Sequence, residues 1–169
     1  LNLPSLLDDP LLAAETIFPE RILLAAPAGH PYVRELLASQ APEGDYPHAA
    51  LEILRQIPLI VTKPGQNLTI AVSHALAQAQ ITPDILLETA NLTTAINLAA
   101  AGMACTFVPE EGAKVCQHPG QLAYFAVDAP GFQWNLAAVY RKDTHLLHIT
   151  RLFMDALKQQ WQPEAAPGP

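Results

Sequence analysis

The apolar positions along this chain fall into short runs, which predict strands, and into longer periodic stripes, which predict helices. The predicted strands are Glu15–Phe18, Arg21–Ala26, Leu59–Thr62, Ile85–Glu88, Ala104–Val108, Leu122–Val127 and Trp134–Tyr140. The predicted helices are Ala49–Gln56, Leu68–Gln80, Leu92–Ala101, a short helix opened by Pro109-Glu110-Glu111, and a last helix that is capped by Asp143 or Thr144 and ends at Gln160. Because strands and helices alternate, the pattern indicates an α/β fold with a mainly parallel sheet.

Two asparagines stand where they can cap helices. The side-chain oxygen of Asn67 or Asn91 can accept from the free amides two and three residues further on, and Gly102 suits the left-handed residue that closes the second helix. We expect Ser39–His48 to be an exposed loop and residues 161–169 to be a disordered tail. The last helix carries an apolar stripe that we expect to face a core, formed by Leu146, Ile149, Phe153, Leu157 and Trp161.

Composition and charge narrow the class of partner. The chain has 169 residues, with 9 Lys and Arg against 16 Asp and Glu, and its formal charge of −7 has the wrong sign for a phosphate backbone. No apolar run approaches the roughly 20 residues that cross a bilayer. The two cysteines, Cys105 and Cys116, cannot form a disulfide framework, which favours a reducing, cytoplasmic setting. The chain opens without a methionine, so we expect a piece of a longer protein.

The sequence offers no catalytic constellation. It lacks the glycine-rich phosphate-binding and dinucleotide-binding patterns and the G-x-S-x-G nucleophile turn. A metal site would have to draw on Cys116, His118, His145 and His148, whereas structural zinc needs four ligands at tighter spacings. We therefore expect neither an enzyme nor a bound cofactor or metal.

Two predicted helix N-termini follow directly from strand ends, at Asn67–Thr69 and at Asn91–Thr94. In open α/β sheets ligands gather at this edge, where free amides and the positive helix end can hold a carboxylate. The hydroxyl and amide groups available there belong to Thr62, Gln66, Asn67, Thr69, Asn91 and Thr93. The residues alone leave open the plainer interpretation, in which these side chains only cap helices and fill turns.

The segment TPDILLETANLTTAINLAAAGMACTFVPE (82–110) closely resembles the effector-binding domain of LysR-type transcriptional regulators. In that family a strand, a Ser/Thr-rich turn and an apolar helix lead to a glycine turn and a strand ending in Pro-Glu. Three further segments resemble the family in the right order: FPERILLAAPAGHPY (18–32), IPLIVTKPGQNL (57–68) and WNLAAVYRKDTHLLHITRLFMDAL (134–157). The chain departs from the pattern at Ala104, where the family usually has glycine, and at Ser39–His48, which looks like an insertion.

The resemblance implies a periplasmic-binding-protein-like fold, in which two Rossmann-like α/β sandwich lobes with mostly parallel sheets enclose a cleft. Residues 1–28 and 132–160 would form part of lobe 1, and residues 29–131 would form lobe 2. The N-terminal winged helix and the first part of lobe 1 would be absent from this chain, so the first lobe would be incomplete.

The resemblance also implies a function, that of a domain which senses a small-molecule effector, here with a carboxylate as a suitable class. DNA would be bound only through the absent N-terminal domain, and the full-length protein would be a homodimer or tetramer. The alternative is a periplasmic-type solute-binding protein, and an enzyme on the same scaffold is a third hypothesis. The positions that match the family's effector site are Thr62, Gly65, Gln66, Asn67, Ala90, Asn91, Leu92, Thr93, Phe107 and Pro109.

Overall fold

The structure is a computed structural model, and it describes residues 9–40, 44–116, 118–127, 129–143 and 146–160. Within these residues it contains seven strands and five α-helices. The strands are β1 (Leu12–Pro27), β2 (His48–Ala49), β3 (Leu59–Thr62), β4 (Ile85–Thr89), β5 (Cys105–Pro109), β6 (Leu122–Val127) and β7 (Gln133–Arg141). The α-helices are α1 (Pro31–Ser39), α2 (Asn67–Gln78), α3 (Leu92–Ala100), α4 (Glu110–Val115) and α5 (His148–Gln160), and a 3-10 helix occupies Leu51–Arg55.

The chain divides into two units. Unit 1 takes its described residues from Leu1–Glu20 and Trp134–Pro169, and unit 2 is Arg21–Gln133. The long strand β1 begins in unit 1 and ends in unit 2. Each unit has a buried apolar cluster built from its own residues.

The sheet of unit 2 has the strand order β2, β6, β1, β5, β3, β4. The pairs β2 with β6, β3 with β4 and β3 with β5 are parallel. In contrast, β1 is antiparallel to both of its neighbours in this unit, β5 and β6. Parallel pairs are thus the majority of these five, as the alternation of strands and helices predicts, but an antiparallel strand lies between them.

The second half of β1 is apolar, as expected for a strand that lies between two other strands and is covered on both faces. Residues Ile22–Ala26 have almost no exposed surface. Leu23 and Ala25 share a buried cluster with Ile96 and Ala99 of α3. The run RILLAA, predicted from sequence as a buried strand, is confirmed.

Unit 1 is built on β1, β7 and α5. The strand β7 pairs with β1, and the buried cluster of this unit consists of Ile17, Phe18 and Met154. Ala138, Tyr140 and Leu157 pack against that cluster and are partly buried. Lys158 of α5 donates to the carboxylate of Glu15, which ties the helix to β1.

The prediction for the last helix is wrong in two respects. The helix begins at His148, and the carboxylate of Asp143 accepts from the guanidinium of Arg141, at 2.6 and 2.9 Å, and does not cap it. Thr144, the other predicted cap, lies outside the described residues. Its buried residue is Met154, whereas Ile149 and Phe153 of the expected stripe are 68% and 63% exposed. Trp161 and the predicted disordered tail lie outside the described residues.

Three other expectations also need correction. The segments predicted as two strands, Glu15–Phe18 and Arg21–Ala26, belong to the single strand β1, since the fixed φ of Pro19 is compatible with extended backbone. Helix α1 was not predicted, although Pro31 at its first turn is a start signal and the helix takes in Ser39, the first residue of the expected loop. The segment Ala49–Gln56 forms a 3-10 helix over Leu51–Arg55 in place of two α-helical turns.

The two asparagines behave differently. Asn91 caps α3, because its Oδ1 accepts from the amides of Thr93 at 2.8 Å and Thr94 at 3.4 Å. Gly102 follows α3 with a φ of 89°, as predicted for the left-handed closing residue. The cap predicted at Asn67 is wrong, because α2 begins at Asn67 itself and its N-cap residue is Gln66, which makes no side-chain capping bond.

We predict that Asn91→Ala lowers the free energy of unfolding by about 1 kcal/mol, because two first-turn amides lose their acceptor. Asn67→Ala is the matched control, since this exposed asparagine is not a cap, and its effect should stay within about 0.5 kcal/mol. Urea unfolding followed by circular dichroism measures both variants. Equal losses in the two would contradict the assignment of the caps.

Candidate functional site

Two loops of unit 2 meet where the parallel strands β3 and β4 end. The amide of Lys63 donates to the carbonyl of Thr89 at 2.9 Å. The side-chain Nε2 of Gln66 donates to the carbonyl of Ala90 at 3.1 Å. Because each loop leads directly into a helix, these bonds bring the N-termini of α2 and α3 to one edge of the sheet.

All ten residues predicted from the sequence for an effector site lie in unit 2. The two loops and the helix starts that follow them carry eight of these residues, namely Thr62, Gly65, Gln66, Asn67, Ala90, Asn91, Leu92 and Thr93. Thr62 is buried and Leu92 is half-buried, while the other six are exposed. Phe107 and Pro109 belong to β5.

The hydroxyl of Thr62 is used inside the fold. The Thr69 hydroxyl donates to the carbonyl of Thr62 at 2.8 Å, and the two hydroxyls are hydrogen-bonded to each other. Thr62 is 4% exposed. These bonds fasten the first turn of α2 to the end of β3, so both threonines position the loop between them.

Phe107 is also a structural residue of this edge. Its ring is buried and lies 5.0 Å, centroid to centroid, from the ring of Phe132. Pro109 ends β5 and is the N-cap residue of α4. Phe107 and Thr62 line a cavity of about 290 Å³ beneath α2, whose other walls include Val61, Val72, Leu76 and Ile85. The residues that the structure describes in this lining include no charged side chain.

The two helix N-termini at this edge differ in how their amides are used. Asn91 occupies two first-turn amides of α3. In α2 the N-cap residue Gln66 makes no side-chain bond to the first turn. Gly65, with a φ of 90°, turns the chain into that helix, and the exposed Lys63 supplies a positive charge nearby in sequence. The N-terminus of α2 is therefore the one without a side-chain cap. The sequence predicted a cap at both helices and did not distinguish them.

A cluster of charges beside the site joins β1 to α4. The guanidinium of Arg21 donates to the two carboxylate oxygens of Glu110 at 2.8 and 2.9 Å and to Asp45 at 3.2 Å. Its Cζ lies 5.2 Å from the ring centroid of Tyr46, and Lys114 lies 3.6 Å from Glu110. The hydrogen bonds from Arg21 hold the pKa of the Glu110 carboxyl below its ordinary value. No local signal predicts this pair, because its members are 89 positions apart.

The described part of the chain contains no group of three or more His, Cys, Asp or Glu residues placed to hold a metal ion. His118 lies 2.9 Å from the Oδ1 of Asn97. His145, a further ligand of the metal hypothesis, lies outside the described residues. Burial raises the pKa of the Cys105 thiol to about 12, so this sulfur is held as the neutral thiol. Among the described helices, none is both long and apolar enough to span a membrane.

The sequence matches a family profile described as LysR substrate binding domain over residues 2–162. No curated protein matches it. The fold is similar to that of HinK, a LysR family transcriptional regulator from Pseudomonas aeruginosa, with a TM-score of 0.69 and 21% identity over 90% of this chain and 49% of that chain. This chain thus spans about half the length of that regulator.

Two solved regulatory domains with bound small molecules have the same fold. The CcmR regulatory domain of Synechocystis PCC6803, in complex with 2-PG, has a TM-score of 0.72 and 16% identity over 90% of this chain and 68% of that chain. The BenM effector-binding domain with its effector benzoate has a TM-score of 0.70 and 18% identity over 90% of this chain and 64% of that chain.

We predict that Glu110 makes stability depend on acid pH. Because its pKa is lower in the folded chain than the value of about 4.3 in an unfolded one, its contribution is present above that value and is lost as the pH falls through the folded pKa. Glu110→Gln should lower the free energy of unfolding at neutral pH by about 1 kcal/mol, after allowance for solvent screening of the half-exposed Arg21.

Urea unfolding of the parent chain and of Glu110→Gln, repeated between about pH 7 and about pH 3, tests this prediction. The difference between the two should shrink as the solution becomes more acid. Glu52→Gln, at an exposed glutamate of the 3-10 helix, is the control and should leave the profile of the parent chain unchanged. A constant difference at all pH values would contradict the role given to the Glu110 carboxylate.

Proposed function

Because the chain belongs to the LysR substrate-binding domain family, we propose that it is the small-molecule effector-sensing domain of a LysR-type bacterial transcriptional regulator. The observation that carries the proposal is the family match over residues 2–162. The two strand-to-helix loops of unit 2, each of which ends in a helix N-terminus, support the proposal as a candidate site for the effector. In this proposal the domain binds rather than catalyses, acts in the cytoplasm, and controls DNA binding by a separate winged-helix domain.

We place the anionic group of the effector at the N-terminus of α2. The helix end without a side-chain cap presents amides and a partial positive charge, and Lys63 adds a full charge. The effectors of the structural relatives agree with an acid, since the BenM domain binds benzoate and the QuiR domain was solved with shikimate. Thr93 and Asn67, exposed on the two facing helix starts, would add polar contacts to the same ligand.

We assign unit 2 to lobe 2 of the family fold and unit 1 to part of lobe 1. The effector would then bind to the exposed loops of lobe 2 and favour one arrangement of the lobes over another. The regulator as a whole would be a homodimer or tetramer. The helix α2 suits a contact between copies because the segment NLTIAVSHALAQ contains no Asp, Glu, Lys or Arg, and charged residues are depleted at interface cores.

A periplasmic-type solute-binding protein, the second hypothesis, would have a cleft of the same kind. The family match favours the regulator, because the matching profile describes the LysR substrate-binding domain. The two hypotheses differ in what lies upstream in the gene. A winged-helix coding region supports the regulator, and an export signal supports the binding protein.

We predict that a small carboxylic acid stabilises the 169-residue chain in a thermal-shift screen that includes benzoate and shikimate. A ligand that binds only the folded state adds about 2.7 kcal/mol at a hundredfold excess over its Kd. For a chain of this size that corresponds to a rise in melting temperature of about 5–10 °C. The neutral amides of the same acids are the comparison ligands, and stabilisation by the amides equal to that by the acids would contradict an anion site.

Lys63→Gln tests the position of the anion. Removal of one charge from a charge-assisted contact costs about 1 kcal/mol, so the Kd of a stabilising acid should rise roughly fivefold. Lys142→Gln, at an exposed lysine of unit 1, is the matched control and should leave the Kd unchanged. If an acid binds equally well to the parent chain and to the double variant Asn67→Ala and Thr93→Ala, the effector does not use these loops.

A further inference from the structure

Gln66 holds the cap position of α2 but its side chain is used elsewhere. Its backbone has the extended conformation of an N-cap residue, and its side chain makes no bond to the first turn of the helix. The Nε2 atom donates to the carbonyl of Ala90, at 3.1 Å, in the loop that leads into α3. The side chain therefore connects two loops that are 24 positions apart in sequence. We call this contact the Gln66–Ala90 bridge.

A backbone hydrogen bond lies beside the Gln66–Ala90 bridge. The amide of Lys63 donates to the carbonyl of Thr89 at 2.9 Å, one residue before Ala90. Gly65, whose φ of 90° a side chain would strain, turns the chain between the two donors. Because Lys63 and Gln66 are bonded to adjacent carbonyls, the loop after β3 is held at two points, to the last residue of β4 and to the loop that follows it.

The contrast with Asn91 shows what glutamine does at this position. Asn91 is short, and its Oδ1 turns back to the amides of its own helix. The longer side chain of Gln66 reaches the neighbouring loop and leaves the first turn of α2 without a side-chain acceptor. Serine, aspartate and asparagine are the strong N-caps, and any of them here would occupy that turn.

We infer that Gln66 is a positioning residue of the effector site. It fixes the separation of the two loops through the Gln66–Ala90 bridge and keeps the N-terminus of α2 free of a side-chain cap. This inference rests on the proposed effector-sensing function and gives Gln66 a role different from direct contact with the ligand. A pre-arranged pair of loops binds more tightly because the ligand does not have to order them.

Two substitutions separate positioning from stability. Gln66→Ala and Gln66→Ser both remove the bridge, and each should raise the Kd for a benzoate or shikimate probe about tenfold. Serine also caps α2, so Gln66→Ser should melt about 2–4 °C above Gln66→Ala. A residue with a merely structural role would lose binding in proportion to stability. Gln78→Ala, at an exposed glutamine at the other end of α2, is the matched control and should change neither quantity.

Amide hydrogen exchange tests the bridge without any ligand. In Gln66→Ala the amide of Lys63 should exchange at least about threefold faster than in the parent chain, because the second attachment of its loop is gone. Unchanged exchange at Lys63 overturns the inference. Unchanged probe affinity in both variants of Gln66 also overturns it.

The two proposals fail in different ways. If the parent chain binds none of the acids, the proposed function is overturned, while the exchange rate of Lys63 still supports or overturns the bridge. If the parent chain binds an acid and both variants bind it equally well, the effector-sensing function stands and the positioning role of Gln66 falls. If Gln66→Ser binds the acid as well as the parent chain does and Gln66→Ala does not, the loss of affinity comes from the missing cap of α2 and not from the missing bridge. This result would also overturn the inference.

Discussion

The pairing of β1 on both of its edges is the constraint on which unit 2 depends. Residues Ile22–Ala26 are fully apolar, and only a strand with two neighbours and two covered faces can bury them without unpaired backbone groups. β5 and β6 satisfy its edges in antiparallel register. β5 also pairs with β3, and β3 pairs with β4, so the parallel half of the sheet is attached to β1 through β5. The parallel strands β3, β4 and β5 end at a common edge.

At that common edge two similar loops differ in how the helix that follows each of them is capped. Each strand leads through a short turn into a helix, and each helix start lies exposed beside the other. One start is closed by Asn91, and the other is left without a cap because Gln66 is bonded to Ala90. The hydroxyls of Thr62 and Thr69 are bonded to each other within the fold, whereas Lys63, Asn67 and Thr93 are exposed at these loops.

The remaining interactions attach neighbouring elements to this frame. Arg21 connects the start of the buried part of β1 with Glu110, the first residue of α4. In unit 1, Met154 and Leu157 cover Ile17 and Phe18, while Ile149 and Phe153 remain exposed on the same helix. An amphipathic stripe read from a sequence identifies apolar positions, but how much of the stripe is covered depends on which other elements lie beside the helix.

Features with local causes could be predicted from the amino-acid sequence. The strands Leu59–Thr62 and Leu122–Val127, the cap at Asn91 and the turn at Gly102 all follow from patterns a few residues long. Tertiary structure alone decided the antiparallel setting of β1, the exposure of Ile149 and Phe153, and the direction of the Gln66 side chain. Gln66 and Ala90 are 24 positions apart in sequence, and Arg21 and Glu110 are 89 positions apart. Whether such a side chain bonds to a local or a distant partner depends on which groups the fold brings within hydrogen-bonding distance.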